Sequence, residues 1–515
     1  MSVFWIVIGC LVALLAVVLV YDLVQRKHAI LRNFPLIGHL RYLLETIGPE
    51  LRQYIVTDND SERPFNRDQR RWVYASSKLE NNYFSFGTDN DLEMTSNYLI
   101  VKHSAFPLDT LHPGQAGFDP DHRIPCAKIL GEPRGREKAF RPASVVNVSG
   151  MSFGSLGRAA VEAMNRGSEL AGCLHNTGEG GVSRHHLHGA DLVWQIGTAY
   201  FGCRDGRGRF SLERLIETVG KYPQIKAVEV KLSQGAKPGI GGLLPKEKIT
   251  AEIAAARGVP MGEDCISPAA HTEFDGADSL LDFVEKIAAA TGLPVGIKSA
   301  VGEQGFWREL AELMSVSGRG VDYICVDGGE GGTGAGPLAF ADHVSLPFKL
   351  GFPRVYGEFV KRGIHGQVVF MGSARLGFPV PALLAFGMGC DIVNVAREAM
   401  LSLGCIQAQR CHTGHCPTGV TTHNPWLMRG LDPSLKSVRL ANYIVTLRQE
   451  LLKLCHSCGV EHPALVTADH FEILDGNLVG ASLEMLFPEG GILPRPGEGE
   501  RLAIVRLMGE LAVAD

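Results

Sequence analysis

Three cysteines, Cys405, Cys411 and Cys416, stand in the stretch Gly404–Val420, GCIQAQRCHTGHCPTGV, with Pro417 directly after the last. Thiolates this close, on a chain bent by Gly414 and Pro417, can converge on one inorganic centre, and a ligand run ending in Cys-Pro is the way iron–sulfur loops finish. The spacing C-x5-C-x4-C departs from zinc-finger patterns, where closely spaced cysteine pairs dominate. Three thiolates rather than four suit a three-iron cluster, or a four-iron cluster with a ligand from elsewhere. Three unrelated buried thiols would leave the same composition, since cysteine is also an ordinary core residue.

A second chemistry is written in glycine. Asp327-GGEGGTGAG-Pro337 follows one apolar run and Gly372-Ser373-Ala374-Arg375 follows the next. Glycines such as Gly331, Gly332 and Gly334, around Thr333, let backbone N–H groups approach phosphate oxygens without a Cβ in the way. A nucleotide phosphate is the expected occupant, with Arg397 adding a cationic contact; a tight structural turn is the competing reading. Lys298 ends the run Pro-Val-Gly-Ile-Lys, where a cation can stabilise negative charge on a reduced flavin ring; an ordinary buried ion pair would look the same. Glu179, Lys231, Gln234 and Lys237 lie in two further loops, NTGEGG and KLSQGAKPG. Mixed lysine and glutamate can hold a dicarboxylate and pass a proton to a reacting nitrogen.

These loops need a scaffold that presents them together. From Ser144 onward short apolar runs alternate with helical patterns. The strand candidates are Val145–Val148, Ala227–Leu232, Pro294–Lys298, Tyr323–Val326, Val368–Met371 and Ile392–Val395. Helices are expected at Leu156–Leu170, Ser279–Ala290, Phe306–Val316 and Val380–Phe386. Continuously apolar strands between helices imply a parallel sheet covered on both faces. About eight such units in roughly 260 residues is the size of a (β/α)8 TIM barrel, whose chemistry gathers at the C-terminal ends of its strands. A doubly wound open sheet is the runner-up, but no G-x-G-x-x-G follows a first strand.

The flanks read differently. Val3–Tyr21 is uncharged throughout, and at about 1.5 Å per residue it is long enough for a ~30 Å hydrocarbon core. It lacks a basic start and a small-residue cleavage site, so a transmembrane anchor over 1–24 is expected rather than a signal peptide. Arg26, Lys27 and Arg32 follow, which puts the catalytic part in the cytoplasm of a single-pass membrane protein. Residues 25–140 read as a mixed wrapping region, with Arg70–Tyr74 expected at a solvated surface. Ser437–Leu454 reads as an amphipathic helix within a helical extension, 431–515, and Cys455 and Cys458 as thiols packed at that helix's end. The net charge of -5 and pI near 6.4 give no electrostatic reason to expect nucleic acid. Twelve cysteines, most standing singly in apolar segments, favour a reducing compartment.

In order along the chain, MSFGSLG, NTGEGG, KLSQGAKPG, GGTGAGP and the three-cysteine loop resemble the synthase domain of glutamate synthase. The likeness covers roughly 140–430, with the cysteine loop at 404–420 inside a barrel of 141–430. It is closest in character to the stand-alone, membrane-anchored FMN-binding glutamate synthase family proteins. The resemblance implies FMN and a [3Fe-4S] cluster held by Cys405, Cys411 and Cys416. For FMN it implies Met151, Ser152, Lys298, Gly331–Gly334, Gly372, Ser373, Arg375 and Arg397. For 2-oxoglutarate or its imine it implies Glu179, Lys231, Gln234, Lys237 and Arg257, with Glu179, Lys237 and Lys298 catalytic.

The larger enzymes of that family carry a glutaminase domain that begins with a nucleophilic cysteine, whereas this sequence begins with an apolar run. No second FAD- or NADPH-binding domain is read either. Ammonia is therefore expected free or from a separate glutaminase, and electrons from a separate ferredoxin or reductase. Where the larger enzymes read KPGEGGQLPG, this chain reads KPGIGGLLPK, placing Ile240 and Leu243 at positions of a Glu and a Gln. A polar contact traded for leucine can change the substrate, so another amine or imine step, such as N-methylglutamate formation, or an electron-relay role stands beside glutamate formation.

Overall fold

In the computed structural model, which describes residues 2–25, 28–476, 479–487 and 493–511, the apolar runs become the staves of a closed barrel. Its strands are β1 (Val146–Val148), β2 (His175–Asn176), β3 (Leu192–Ile196), β4 (Ile225–Lys231), β5 (Val295–Ala300), β6 (Tyr323–Asp327), β7 (Val369–Ser373) and β8 (Ile392–Val395). Neighbours in sequence are neighbours in space, every pair is parallel, and β8 closes onto β1 through Val393 opposite Val146. This is the (β/α)8 TIM barrel that the alternation predicts. The six expected strands are present within a residue or two. Strands β2 and β3 were not singled out, because β2 is two polar residues long and β3 interrupts its apolar run with Gln195. The four expected helices form as Arg158–Leu170, Ala277–Thr291, Gly305–Val316 and Pro379–Gly387.

The N-terminal end of the barrel is plugged. Cys126 and Leu130 are fully buried against Leu174, Ala227, Tyr323, Val369 and Ile392, which sit within two residues of the starts of their strands. Polar anchors surround this plug: Lys128 Nζ donates to the carbonyls of His365 and Val368 and pairs with Asp391 at 3.0 Å. Arg136 Nε lies 3.0 Å from Asp322 and its Nη1 2.6 Å from Glu285. The last part of the expected wrapping region thus builds the barrel floor.

Two expectations are corrected outside the barrel. The extension 431–515 is not purely helical: after the helix Pro433–Ser457, the strand Phe471–Leu474 pairs antiparallel with Tyr98–Val101 and with Gly480–Ala481. Arg70–Tyr74 is only in part a solvated surface: Arg71 is exposed and Tyr74 half-buried. Arg70 is buried and paired with Glu62, while Val73 is buried and Trp72 packs at 6.0 Å from Phe378 and 6.2 Å from Tyr443. Apolar neighbours at helical spacing on Arg67–Lys78 outweigh the two arginines. Cys455 and Cys458 are free and buried at the end of the long helix, as expected.

The chain divides into two units, Met1–Arg70 and Arg71–Asp515. In the first, the helix Ser2–Val24 contains a stretch, Val3–Val24, long and apolar enough to cross a membrane, its apolar side chains exposed or half-buried and only Asp22 near its end buried. Arg26 and Lys27, used above for orientation, lie outside the described residues; Arg32 lies in the helix Ala29–Asn33.

Candidate functional site

At the C-terminal ends of the strands one cavity collects side chains from every stave. Strand β1 delivers Ser149, Met151 and Ser152, β2 delivers Glu179, and β3 delivers Gln195. From β4 and its loop come Lys231, Gln234 and Lys237, and from β5 comes Lys298. Strand β6 leads into Gly331–Gly334, β7 ends at Ser373 with Arg375 beyond, and β8 contributes Asn394 and Arg397. Arg257, Leu243 and Lys248 reach the same space from the long excursion after β4, and Cys411 and Thr421 from the cysteine loop.

Gly372 is the exception among the expected cofactor residues. A Cβ there would lie 2.8 Å from Phe348 and Leu376 side chains and 3.1 Å from Cys390 Sγ, so its missing side chain serves packing against the helix layer. Of the three cysteines, Cys411 lines the cavity, and Cys405 and Cys416 do not. Gln195, Asn394, Asp327 and Lys248 were missed as site residues. The first lies on a strand that was not foreseen, and the others are single polar residues without a repeating signal.

Lys298 is buried with its Nζ 3.6 Å from Asp327 and 3.4 Å from Ser149 Oγ. Burial works against its charge, but the Asp327 carboxylate, with Glu229 behind it, holds its pKa above the usual lysine value. It is therefore a fixed positive charge. Asp327 also accepts from Gly235 N at 2.8 Å, which draws the β4 loop across the β6 loop. The approach is so close that a Cβ on Gly235 would fall 1.8 Å from the Gly328 carbonyl oxygen.

On the other side of the cavity Lys231 Nζ lies 2.9 Å from Glu179 Oε1 and donates to Gln234 Oε1 at 2.6 Å. Burial raises the pKa of Glu179, but Lys231, Arg257 and Lys237 more than offset this and hold it below the usual carboxylate range. Lys237 shows the opposite balance: burial lowers its pKa, only partly countered by Glu179, and Lys231 lowers it further. Of the two expected proton-handling groups, Glu179 is thus ionised and Lys237 is the readier acid. Arg257 is buried, donates to the Phe153 carbonyl at 3.1 Å, and lies over the Phe201 ring at 5.1 Å.

The cysteine loop is braced rather than free. Tyr74 Oη donates to the Cys405 carbonyl at 2.7 Å, and Lys248 Nζ donates to the carbonyls of Cys411 at 2.6 Å and Thr421 at 3.2 Å. Gly157 N donates to the Val420 carbonyl at 2.9 Å, and a Cβ on Gly157 would lie 2.5 Å from the Thr422 oxygen. The MSFGSLG motif and the cysteine loop are therefore packed against each other, and His423 adds a hydrogen bond to the Gly154 carbonyl at 2.9 Å. Burial raises the Cys416 thiol, yet hydrogen bonds from Thr418 and Thr421 hold its pKa below the ordinary thiol value.

These residues fit the two expected groups. A Cβ on Gly334 would meet nothing within 4 Å and one on Gly332 would strike Arg397 at 2.6 Å. Bare backbone beside a guanidinium is a cradle suited to a phosphate. Arg375 adopts φ +57°, an uncommon left-handed conformation for a side-chain-bearing residue, directly at the cavity wall. For the cysteines, among the described residues only Glu162, His185 and His188 bring three metal-binding atoms within 4.8 Å of one another. The cysteine loop instead offers three thiols on one segment braced by Tyr74 and Lys248, the donor chemistry that iron–sulfur clusters use.

Residues 126–461 match the family described as the conserved region in glutamate synthase. The chain is 36% identical over 505 residues to the glutamate synthase large subunit-like protein YerD of Bacillus subtilis, covering 92% of this chain and 95% of that one. It is 32% identical over 318 residues to the archaeal glutamate synthase [NADPH] of Methanocaldococcus jannaschii, covering 61% of this chain and 59% of that one. The chain thus spans almost all of the Bacillus protein and about three fifths of the archaeal one. Among solved structures, a flavocytochrome b2 variant with sulfite bound superposes with a TM-score of 0.45 at 13% identity, over 89% of each chain. A mandelate oxidase variant with 2-hydroxy-phenylacetamide superposes with a TM-score of 0.41 at 15% identity, over 79% of this chain and 90% of that one. With its family region spanning the whole barrel and the cysteine loop, the chain belongs to the glutamate synthase family of oxidoreductases.

Proposed function

We propose that this chain is an FMN- and [3Fe-4S]-dependent oxidoreductase that reduces the imine of 2-oxoglutarate and ammonia to L-glutamate. The observation that carries the reading is a convergence on one cavity: a phosphate-type glycine cradle, the buried Lys298, the Glu179–Lys231–Lys237 group and the cysteine loop. When bound, FMN supplies a hydride and the cluster supplies one-electron transfer.

The chain's own residues have separable tasks in this reading. Gly331–Gly334, Ser373, Arg375 and Arg397 hold the phosphate end of FMN, and Met151 and Ser152 border its ring. Lys298 stabilises negative charge at the pyrimidine side of that ring. Cys405, Cys411 and Cys416 are the cluster ligands, with Lys248 bracing their loop at the Cys411 carbonyl. Lys231, Gln234 and Arg257 receive the carboxylates of 2-oxoglutarate, and Glu179 holds Lys231 in place. Lys237 Nζ donates the proton that the imine nitrogen needs, which together with one hydride converts imine to amine. The apolar helix Val3–Val24 anchors the chain as a single span with the barrel on the cytoplasmic side. Ammonia arrives free or from a separate glutaminase, and electrons from a separate ferredoxin or reductase.

Reduced, FMN-loaded protein mixed anaerobically with 2-oxoglutarate and ammonium tests the reading: flavin reoxidation with glutamate formed supports it, and a flavin that stays reduced contradicts it. One observation favours a second reading. Leu243 lines the cavity and Ile240 borders its Lys231–Lys237 side, so a less polar imine, such as that of 2-oxoglutarate and methylamine, fits the same catalytic groups. Faster reoxidation with methylamine than with ammonium would select it.

A further inference from the structure

The helix Gly38–Leu51 carries Leu40, Leu43, Leu44, Ile47 and Leu51 at spacings i, i+3, i+4, i+7 and i+11, which places all five on one face. In a water-soluble surface helix that face is the buried one. Here each of the five is between 38% and 56% exposed. Tyr54, Ile55 and Val56 continue the exposed apolar surface past the helix end, and Phe34 and Ile37 precede it. The polar residues, including Arg41, Glu45, Glu50 and Arg52, fall outside the stripe, and Arg41 pairs with Glu45 at 2.7 Å.

The position of this helix in the chain says what covers the stripe. The apolar helix Ser2–Val24 ends only fourteen residues earlier. Its Asp22 carboxylate accepts from Leu36 N at 2.9 Å and pairs with His39 Nε2 at 3.0 Å, so the start of Gly38–Leu51 is tied to the last turn of the apolar helix. We propose that Gly38–Leu51 lies in the plane of the same bilayer's interface, its leucine face among the upper acyl carbons and its charged residues among the headgroups. A short amphipathic helix with an unpartnered apolar face has this character, and a neighbouring membrane span removes most of the entropic cost of reaching the surface. The inference rests on the reading of Val3–Val24 as an anchor.

The test uses the full chain reconstituted in phosphatidylcholine/phosphatidylglycerol vesicles. These contain a lipid with a photoactivatable group on an upper acyl carbon, and crosslinks are mapped by mass spectrometry. Labelling of both 3–24 and 38–56 is expected, with the 38–56 signal falling several-fold in a Leu40→Ser, Leu44→Ser variant while the 3–24 signal holds. Labelling of 3–24 alone overturns the interfacial helix and leaves the anchor standing. Labelling of neither overturns the anchor and the inference with it. In a parallel Leu43→Cys sample treated with a mild thiol oxidant, a disulfide joining two copies at position 43, without lipid label on 38–51, assigns the stripe to a dimer and also overturns it.

Discussion

Lys248 Nζ donates to the backbone carbonyl of Cys411 at 2.6 Å. One buried cation from the substrate-side excursion thereby sets the loop that carries the cysteines. Burial lowers the pKa of this lysine, while the Cys411 and Cys416 thiols work the other way. Replacing it by methionine leaves the Cys411 and Thr421 carbonyls without their donor, a cost of about 1.5–3 kcal/mol for hydrogen bonds from a charged group. Lys248→Met is expected to retain FMN but to lose iron per chain and to lower the thermal midpoint. Full iron content in a folded Lys248→Met protein would show that the loop needs no such brace.

The Glu179–Lys237 pair predicts a pH profile with two limbs. Glu179 has a folded pKa below its ordinary 4.5, so its ion pairs contribute stability above that value and lose it as pH falls through the folded pKa. Lys237 has a folded pKa below its ordinary 10.5, so its acid form disappears before that pH as pH rises. Turnover measured at constant free ammonia should therefore fall on the alkaline side earlier than an ordinary lysine would allow. Lys237→Met should abolish that limb and slow the reaction by roughly 10²-fold or more, the usual weight of a general acid. An alkaline limb unchanged in the variant would assign the proton to another group.

Gly235→Ala is expected to be severe. The added methyl would lie 1.8 Å from the Gly328 carbonyl oxygen, a backbone-on-backbone clash that forces the β4 and β6 loops apart and exceeds the ~1–3 kcal/mol typical of core overpacking. Loss of FMN from purified Gly235→Ala, or its failure to accumulate in soluble form, is the expected result. Normal flavin content would mean that the loops yield without cost.

Much of this was legible in the sequence, for a physical reason. Glycines at close approaches and cysteines in a short loop are residues whose chemistry cannot be supplied by substitutes, so NTGEGG, KLSQGAKPG, GGTGAGP and the cysteine loop stand out one by one. The apolar runs that open β6 and β7, YICV and VFM, are equally plain, because burial on both faces leaves no alternation. What stayed hidden depends on partners far away in sequence. Lys248 gains its role from Cys411, 163 positions on, and Tyr74 from Cys405, 331 positions on. Strand β2 exists because His175 and Asn176 pair with their neighbours, not because two polar residues favour extension. Gly372 is tightly packed against Phe348 and Leu376, and a glycine needed for packing and one needed for a ligand look alike in a sequence.

Leu243→Gln combined with Ile240→Glu tests whether those two positions set the substrate. If the apolar wall disfavours ammonia, the double variant should shift the ratio of kcat/KM for ammonium over methylamine upward by about tenfold, the scale of one recovered polar contact. An unchanged ratio would remove Ile240 and Leu243 from the specificity argument.

The most direct test of the central claim follows the nitrogen. Chemically reduced full chain, loaded with FMN and iron, is mixed anaerobically with 2-oxoglutarate and 15N-ammonium, and the products are read by mass spectrometry. 15N-labelled L-glutamate is expected in an amount matching the flavin reoxidised, with strongly diminished label in Lys237→Met. Flavin that is fully reducible yet yields no labelled glutamate would contradict the central claim.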